Sequence, residues 1–289
     1  MSDDTPANTI VSTEWLADHL DAPDVRIVDA SWYLPADNRD PEAEYRARHI
    51  PGAVFFDIDE IADTDSSLPH TLPSTEKFSV RVSKLGLGDG NRIVVYDGGG
   101  VLSATRAWWM FKVFGHDDVV VLDGGLSKWL REGRPVDDLA PMPRQRHFTA
   151  RLNTMMIRDK DQILANLKTA REQILDARSA PRFAGAKPEP RPNVRPGHIP
   201  GSINVPFGAL QDPETGTFRP VDDIRTAFES AGVNLDAPIV TSCGSGVTAC
   251  VLYLGLEMLG HRNIAVYDGS WSEWGAADDT PVETDGDSS

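Results

Sequence analysis

The residues best equipped for chemistry lie in the run Ile239-Val-Thr-Ser-Cys243-Gly-Ser-Gly-Val-Thr248 and the apolar segment Ala249 to Leu259 that follows it. The first, β-branched part reads as a buried strand. The Cys with two glycines reads as a tight loop, and the apolar segment as a buried helix. A thiol between a strand and a helix N-terminus sits where loop N–H groups and aligned peptide dipoles favour negative charge. Held there, it loses its proton more readily and becomes a nucleophile. Gly244 and Gly246 let the backbone curl close around the sulfur. The competing reading is a structural Cys, since an unpaired Cys is often simply core. The rest of the chain favours the reactive one.

The chain has 289 residues, 40% of them hydrophobic, which suits two domains with cores of their own. No run approaches the ~20 apolar residues a membrane helix needs. The opening Met1-Ser-Asp-Asp-Thr-Pro is acidic and polar, unlike a secretory signal, so the cytoplasm is the expected location. The formal net charge is −16, from 31 Asp, 13 Glu, 21 Arg and 7 Lys. Such a surface repels nucleic acid and anionic membranes. Many short carboxylates and few lysines are what a halophile's cytoplasmic protein would carry; this bears on the solvent, not on the chemistry. Two cysteines, Cys243 and Cys250, exclude a disulfide framework, and no Cys/His cluster has metal-ligand spacing. Cys250 lies two helical turns beyond Cys243, ~10 Å by helix rise. That is too far for an unstrained bridge, so Cys250 reads as a small core residue.

The two halves of the chain repeat. Arg26-Ile-Val-Asp-Ala-Ser31 returns as Gln173-Ile-Leu-Asp-Ala-Arg-Ser179, and Arg48-His-Ile-Pro-Gly-Ala53 as Gly197-His-Ile-Pro-Gly-Ser202. Ile93 to Val101 returns as Ile239 to Val247, Phe114 to Gly125 as Leu259 to Ser270, and Leu126-Ser-Lys-Trp129 as Trp271-Ser-Glu-Trp274. The spacing is nearly constant, from His49 to His198, Asp97 to Cys243 and Trp129 to Trp274, which marks a duplication. The Cys position of the first copy holds Asp97, so one copy is reactive and the other is spent. His49 and His198 occur in both copies, which argues for a structural role before Pro51 and Pro200 rather than catalysis. Trp129 and Trp274 read as core for the same reason.

Each copy alternates short strands with helices, which argues α/β: a mainly parallel sheet flanked by helices. Thr13 to Leu20, Thr75 to Leu85, Val221 to Ala231 and the start of Asp159 to Ala177 have helical spacing, two of them ending at Gly86 and Gly232. The domains are expected at 1–135 (unreactive) and 158–277 (catalytic), joined by a Pro-containing linker at 136–157. Residues 278–289 form an acidic tail expected to be disordered.

These blocks resemble the two-domain rhodanese-type sulfurtransferases over nearly the whole chain, Ile10 to Ala276. The resemblance rests on the His-Ile-Pro-Gly blocks, the Cys243 loop and Asp268-Gly-Ser-Trp-Ser-Glu-Trp274. It implies two tandem rhodanese-like domains. Cys-Gly-Ser-Gly-Val-Thr looks like the loop of the 3-mercaptopyruvate branch. Thiosulfate-preferring members usually have Arg and Lys where this chain has Gly244 and Ser245. A dianion benefits from cations in the loop, and a neutral loop suits an α-keto thiol whose carboxylate is held elsewhere. The segment Pro181 to Arg191 resembles the one that supplies that clamp, which implies Arg182 and Arg191 as donor-binding residues. A proposed Ser-His-Asp relay maps onto Ser245, His70 and Asp59, with the alternative that His70 and Asp59 merely bond across the domain interface.

The resemblance implies that Cys243 takes sulfur from 3-mercaptopyruvate as a persulfide. The loop N–H groups from Gly244 through Gly246 and Val247 to Thr248 would stabilise it. The sulfur then passes to a small thiol, a thioredoxin-like protein or cyanide. No metal or organic cofactor is implied. The alternatives are a thiosulfate:cyanide sulfurtransferase and a persulfide carrier without turnover, although a carrier needs no carboxylate clamp. Cys-dependent phosphatases place an Arg where this chain has Ala249, which argues strongly against that class.

Overall fold

The short runs rich in Val and Ile become strands buried on both faces, and the glycines after helices close the turns between them. The computed structural model describes residues 9–100 and 102–285. In the first half β1 (Ile10–Val11), β2 (Val25–Asp29), β3 (Val54–Phe55), β4 (Arg92–Tyr96) and β5 (Val119–Leu122) form one sheet in the order β1-β5-β4-β2-β3. In the second, β6 (Ile157–Arg158), β7 (Gln173–Asp176), β8 (Ile203–Asn204), β9 (Ile239–Ser242) and β10 (Ile264–Tyr267) repeat that order as β6-β10-β9-β7-β8. Every strand pairing is parallel. Helices cover the faces, as parallel sheets require. Those at Thr75–Lys84 and Val221–Ser230 lie where the spacing predicts them. Among the described residues no helix is long and apolar enough to cross a membrane.

The helices following the two loops, Ala104–Val113 and Ala249–Met258, are apolar on nearly every side and are buried almost throughout. A helix of that kind needs partners all round. Each packs on its own sheet and also on the other across the interface, where Trp108 meets Tyr253 edge-on at 5.9 Å and Lys112 pairs with buried Glu257. One hydrophobic core therefore runs through both halves. The cleft that holds Cys243 lies at the carboxyl ends of β2, β7 and β9, as expected for open α/β sheets.

Both histidines of the repeat are structural. His49 Nδ1 lies 2.7 Å from the Tyr45 carbonyl oxygen and His198 Nδ1 2.9 Å from that of Phe183, each ring stacked on its neighbour. Trp129 and Trp274 are fully buried, and their indole N–H groups donate to the carbonyls of Pro135 and Pro281, each at 2.7 Å.

The acidic tail departs from its expected disorder. Residues 278–285 are strapped onto the second half. Glu283 bridges to His198 as Asp137 bridges to His49, Thr280 is buried, and Arg195 binds the carbonyls of Ala277 and Thr280. Charge alone suggested solvation, but Pro281 and Val282 bring backbone partners with them. Residues 286–289 lie outside the described residues.

Candidate active site

Strand β9 ends at Ser242 and delivers Cys243, 2% exposed, to the start of the loop. The neighbouring carbonyls are turned aside: Cys243 O accepts from Trp271 N at 2.9 Å and Gly244 O from Ser272 N at 2.8 Å. Ser270 Oγ accepts from Cys243 N at 3.2 Å. Among the described residues no protein acceptor takes the N–H groups of Gly244 to Thr248, so they remain available to an anion at the sulfur. Gly246 has φ +80°, and a Cβ there would come 3.0 Å from Asp268 O and 3.1 Å from Arg106 Nη1. Only glycine fits that turn without displacing both.

The first copy shows what the loop does when the thiol is absent. Asp97 Oδ1 accepts from Gly99 N and Oδ2 from Ala104 N, both at 2.8 Å. The carboxylate sits, fully buried, in its own ring of donors, although burial raises its pKa. Cys250 lies behind the reactive loop with Sγ 3.2 Å from Gly246 O, and burial pushes its thiol up to about 12. That keeps it protonated and inert.

Cys243 opens into a cavity of about 520 Å³ between the two halves. Gly244, Ser245, Val247 and Thr248 form its floor, and Arg182 and Arg191 stand on one wall. Trp32, Leu34, Pro35 and Ala36 of the first half form the other. Gly246 alone of the six expected binding positions is not in the wall; it packs behind the loop. A Cβ at Gly244 would approach Arg182 Nη2 to 3.2 Å, so the bare backbone there makes room for the guanidinium. Burial lowers the pKa of Arg191 and the Arg182 charge adds to this, while the Cys243 charge opposes both.

Behind Ser245 stands His70, 4% exposed, at φ +62°. Its Nδ1 is 2.9 Å from Ser245 Oγ and its Nε2 is 3.0 Å from Asp59 Oδ1. Trp32 Nε1 donates to Asp59 Oδ2 at 2.9 Å, and its ring meets His70 edge-on at 4.7 Å. Burial would raise the Asp59 pKa, but the bond and charge of His70, with the Trp32 bond, hold it below the usual range. An ionised Asp59 fixes the ring proton on Nε2 and leaves Nδ1 to accept from the Ser245 hydroxyl, the arrangement a proton relay requires.

Three supports were not anticipated. Arg106, fully buried, donates to His70 O at 2.5 Å and to Asp268 Oδ1 at 2.7 Å, while Asp268 Oδ2 accepts from Leu72 N at 2.8 Å. Its mark in the sequence is a lone Arg in an apolar helix. Trp32 follows the carboxyl end of β2, where clefts of this architecture lie. Glu189, its side chain buried, pairs with Arg178 and with Arg182 on the cavity wall.

The description "Rhodanese-like domain" fits this chain twice, at residues 12–132 and 159–277. The chain belongs to the rhodanese family. It is 43% identical over 92% of its length to human 3-mercaptopyruvate sulfurtransferase, 91% of which is covered. It is also 43% identical to rat thiosulfate sulfurtransferase, again over 92% of this chain and 91% of that one. The crystal structure of SseA from Escherichia coli, described as a 3-mercaptopyruvate sulfotransferase, superposes with a TM-score of 0.84. It has 40% identity and spans 91% of this rhodanese chain and 98% of its own. Relatives named for either donor are equally similar, so overall identity does not choose between them.

Proposed function

We propose that this protein is a sulfurtransferase that takes sulfur from 3-mercaptopyruvate through a Cys243 persulfide and passes it to a thiol or cyanide. One observation carries the choice of donor: the Cys243 loop itself holds no charged residue, and the cations of the cavity, Arg182 and Arg191, come from another segment of the wall, Arg182 beside Gly244. That arrangement suits a donor whose anionic end is distinct from the sulfur it gives up. The Cys243 thiolate attacks the donor sulfur, the S–S bond forms and the C–S bond breaks. Its electron pair stays on carbon as the enolate of pyruvate, and the thiol hydrogen remains on the transferred sulfur. Arg182 and Arg191 hold the carboxylate and the developing enolate oxygen. Ser245, its hydroxyl held by His70 and Asp59, gives its proton to the enolate carbon and is restored by the hydrogen of the transferred sulfur, so pyruvate leaves and a persulfide anion remains. The N–H groups of the Cys243 loop carry the persulfide charge. Attack by cyanide on the outer sulfur gives thiocyanate and returns the thiolate; a thiol or thioredoxin-like acceptor leaves with the sulfur instead.

In this reading residues 158–277 are the catalytic domain, 1–135 the unreactive one and 136–157 the linker. The acidic composition supports work in a salt-rich cytoplasm. The test is transfer to cyanide at high KCl with each donor separately, on the wild type and on Cys243→Ser. A strong preference for 3-mercaptopyruvate that disappears in the variant is the expected result. Preference for thiosulfate would remove the donor assignment. A single stoichiometric transfer without turnover would favour the carrier reading.

A further inference from the structure

Glu189 pairs with Arg182, one of the two arginines of the candidate clamp, and its side chain is only 3% exposed. Its Oε1 accepts from Arg178 Nη1 at 2.9 Å and from Arg182 Nε at 3.3 Å, and its Oε2 takes Arg182 Nη2. Arg178 is also paired with Asp176, Nη2 to Oδ2 at 2.6 Å. Two guanidinium groups and two carboxylates thus cancel within one buried network. The fork of Arg182 is oriented by the same contact: its Nε/Nη2 edge faces Glu189, which leaves Nη1 and Nη2 toward Gly244. Arg191, two residues along the chain, makes no ion pair among the described residues. Asp59 faces it from the first half, but both Asp59 oxygens are engaged by His70 and Trp32. The wall above Cys243 therefore presents two guanidinium faces carrying the surplus charge of one.

We infer that Glu189 sets the donor charge this site accepts, tuning it to a single carboxylate and against a dianion. The inference rests on the sulfurtransferase reading above and deepens it. 3-Mercaptopyruvate with its thiol protonated carries one negative charge, and thiosulfate carries two. By Coulomb's law a buried carboxylate beside the cavity opposes a dianion about twice as strongly as a monoanion. Specificity arises here from a repulsive element beside the attractive ones. Glu189 is a positioning and charge-setting residue; it need not touch the donor.

The experiment compares kcat/KM for the two donors, with cyanide as acceptor and at one fixed ionic strength, in the wild type and in Glu189→Gln. The amide keeps the side-chain shape and one acceptor for the arginines while removing the charge. The thiosulfate-to-mercaptopyruvate ratio should rise about tenfold, through a lower KM for thiosulfate, as one unit charge a few ångströms away predicts after screening. An equal loss with both donors would show Glu189 to be only a structural strut and would overturn the inference. Should the variant fold poorly, wild-type inhibition decides. Pyruvate, a monoanion, is expected to inhibit at lower concentration than sulfate, a dianion; the reverse order overturns the inference. Wild-type enzyme without Cys243-dependent turnover on either donor would instead sink the functional reading itself.

Discussion

Nη2 of Arg106 and Oδ1 of Asp268 lie 2.7 Å apart, an ion pair joining the two halves with the guanidinium wholly out of solvent. The same Nη2 binds the carbonyl of His70, and the other Asp268 oxygen binds the amide of Leu72. One buried charge from each half thus fixes the segment that carries His70, including its positive φ.

Arg106→Met should cost about 3–5 kcal/mol of stability, because it strands Asp268 without its partner at a buried interface. Urea unfolding of both proteins checks this. A change below about 1 kcal/mol would mean that water reaches Asp268 and that the pair contributes little.

Ser245→Ala should lower kcat with 3-mercaptopyruvate by about 10²-fold, the lower range for loss of a positioned proton donor. With thiosulfate the rate should change little, since sulfite leaves without needing a proton. Equal losses on both donors would assign Ser245 to loop geometry rather than proton transfer.

Asp29 is buried at the end of β2, and burial, the dominant cause, raises its pKa to about 6. A raised carboxyl pKa penalises the folded state once the group ionises. The penalty is absent below the unfolded value near pH 4 and complete above about pH 6. Asp29→Asn keeps an acceptor for Ser31 and should be more stable than wild type by about 2–3 kcal/mol at pH 8. The two should converge below pH 4. Urea midpoints at pH 8 and pH 4 test the sign; no gain at pH 8 would mean that Ser31 already compensates the charge.

Asp97→Ala should lower the melting temperature, because the N–H groups of Gly99 and Ala104 lose acceptors worth about 1–3 kcal/mol each. Millimolar sulfate should restore part of the loss in the variant while leaving wild type unaffected. Failure of sulfate to act on the variant would show that the loop collapses when emptied.

The duplication made the architecture readable, since five matching blocks implied two copies of one α/β unit, and periodicity placed helices such as Thr75–Lys84. The distances within Ser245-His70-Asp59 could not be read, because they depend on how two domains dock. Arg106 escaped notice for the same reason: an Arg in an apolar helix looks anomalous until its partner across the interface is known. The tail was legible and was missed. Pro135-Val136-Asp137 returns as Pro281-Val282-Glu283, and extending the repeat would have predicted both the Trp–Pro bonds and the paired edge. Glu189 was hidden by its prolines, whose loop fixes position without any periodic pattern.

The cavity over Cys243 takes Trp32 from the copy that has no thiol, and Asp59 and His70 stand behind Ser245 from that copy too. After duplication a redundant copy is usually free to drift or be deleted. Here the first copy holds Asp97 where its sibling holds Cys243, yet it still supplies one wall of its sibling's cavity. A change at His70 or Trp32 alters the surroundings of Ser245 and Cys243 in the other half, so separating the halves would open the cavity on one side. The ancestor's spare has become half of a single heritable trait.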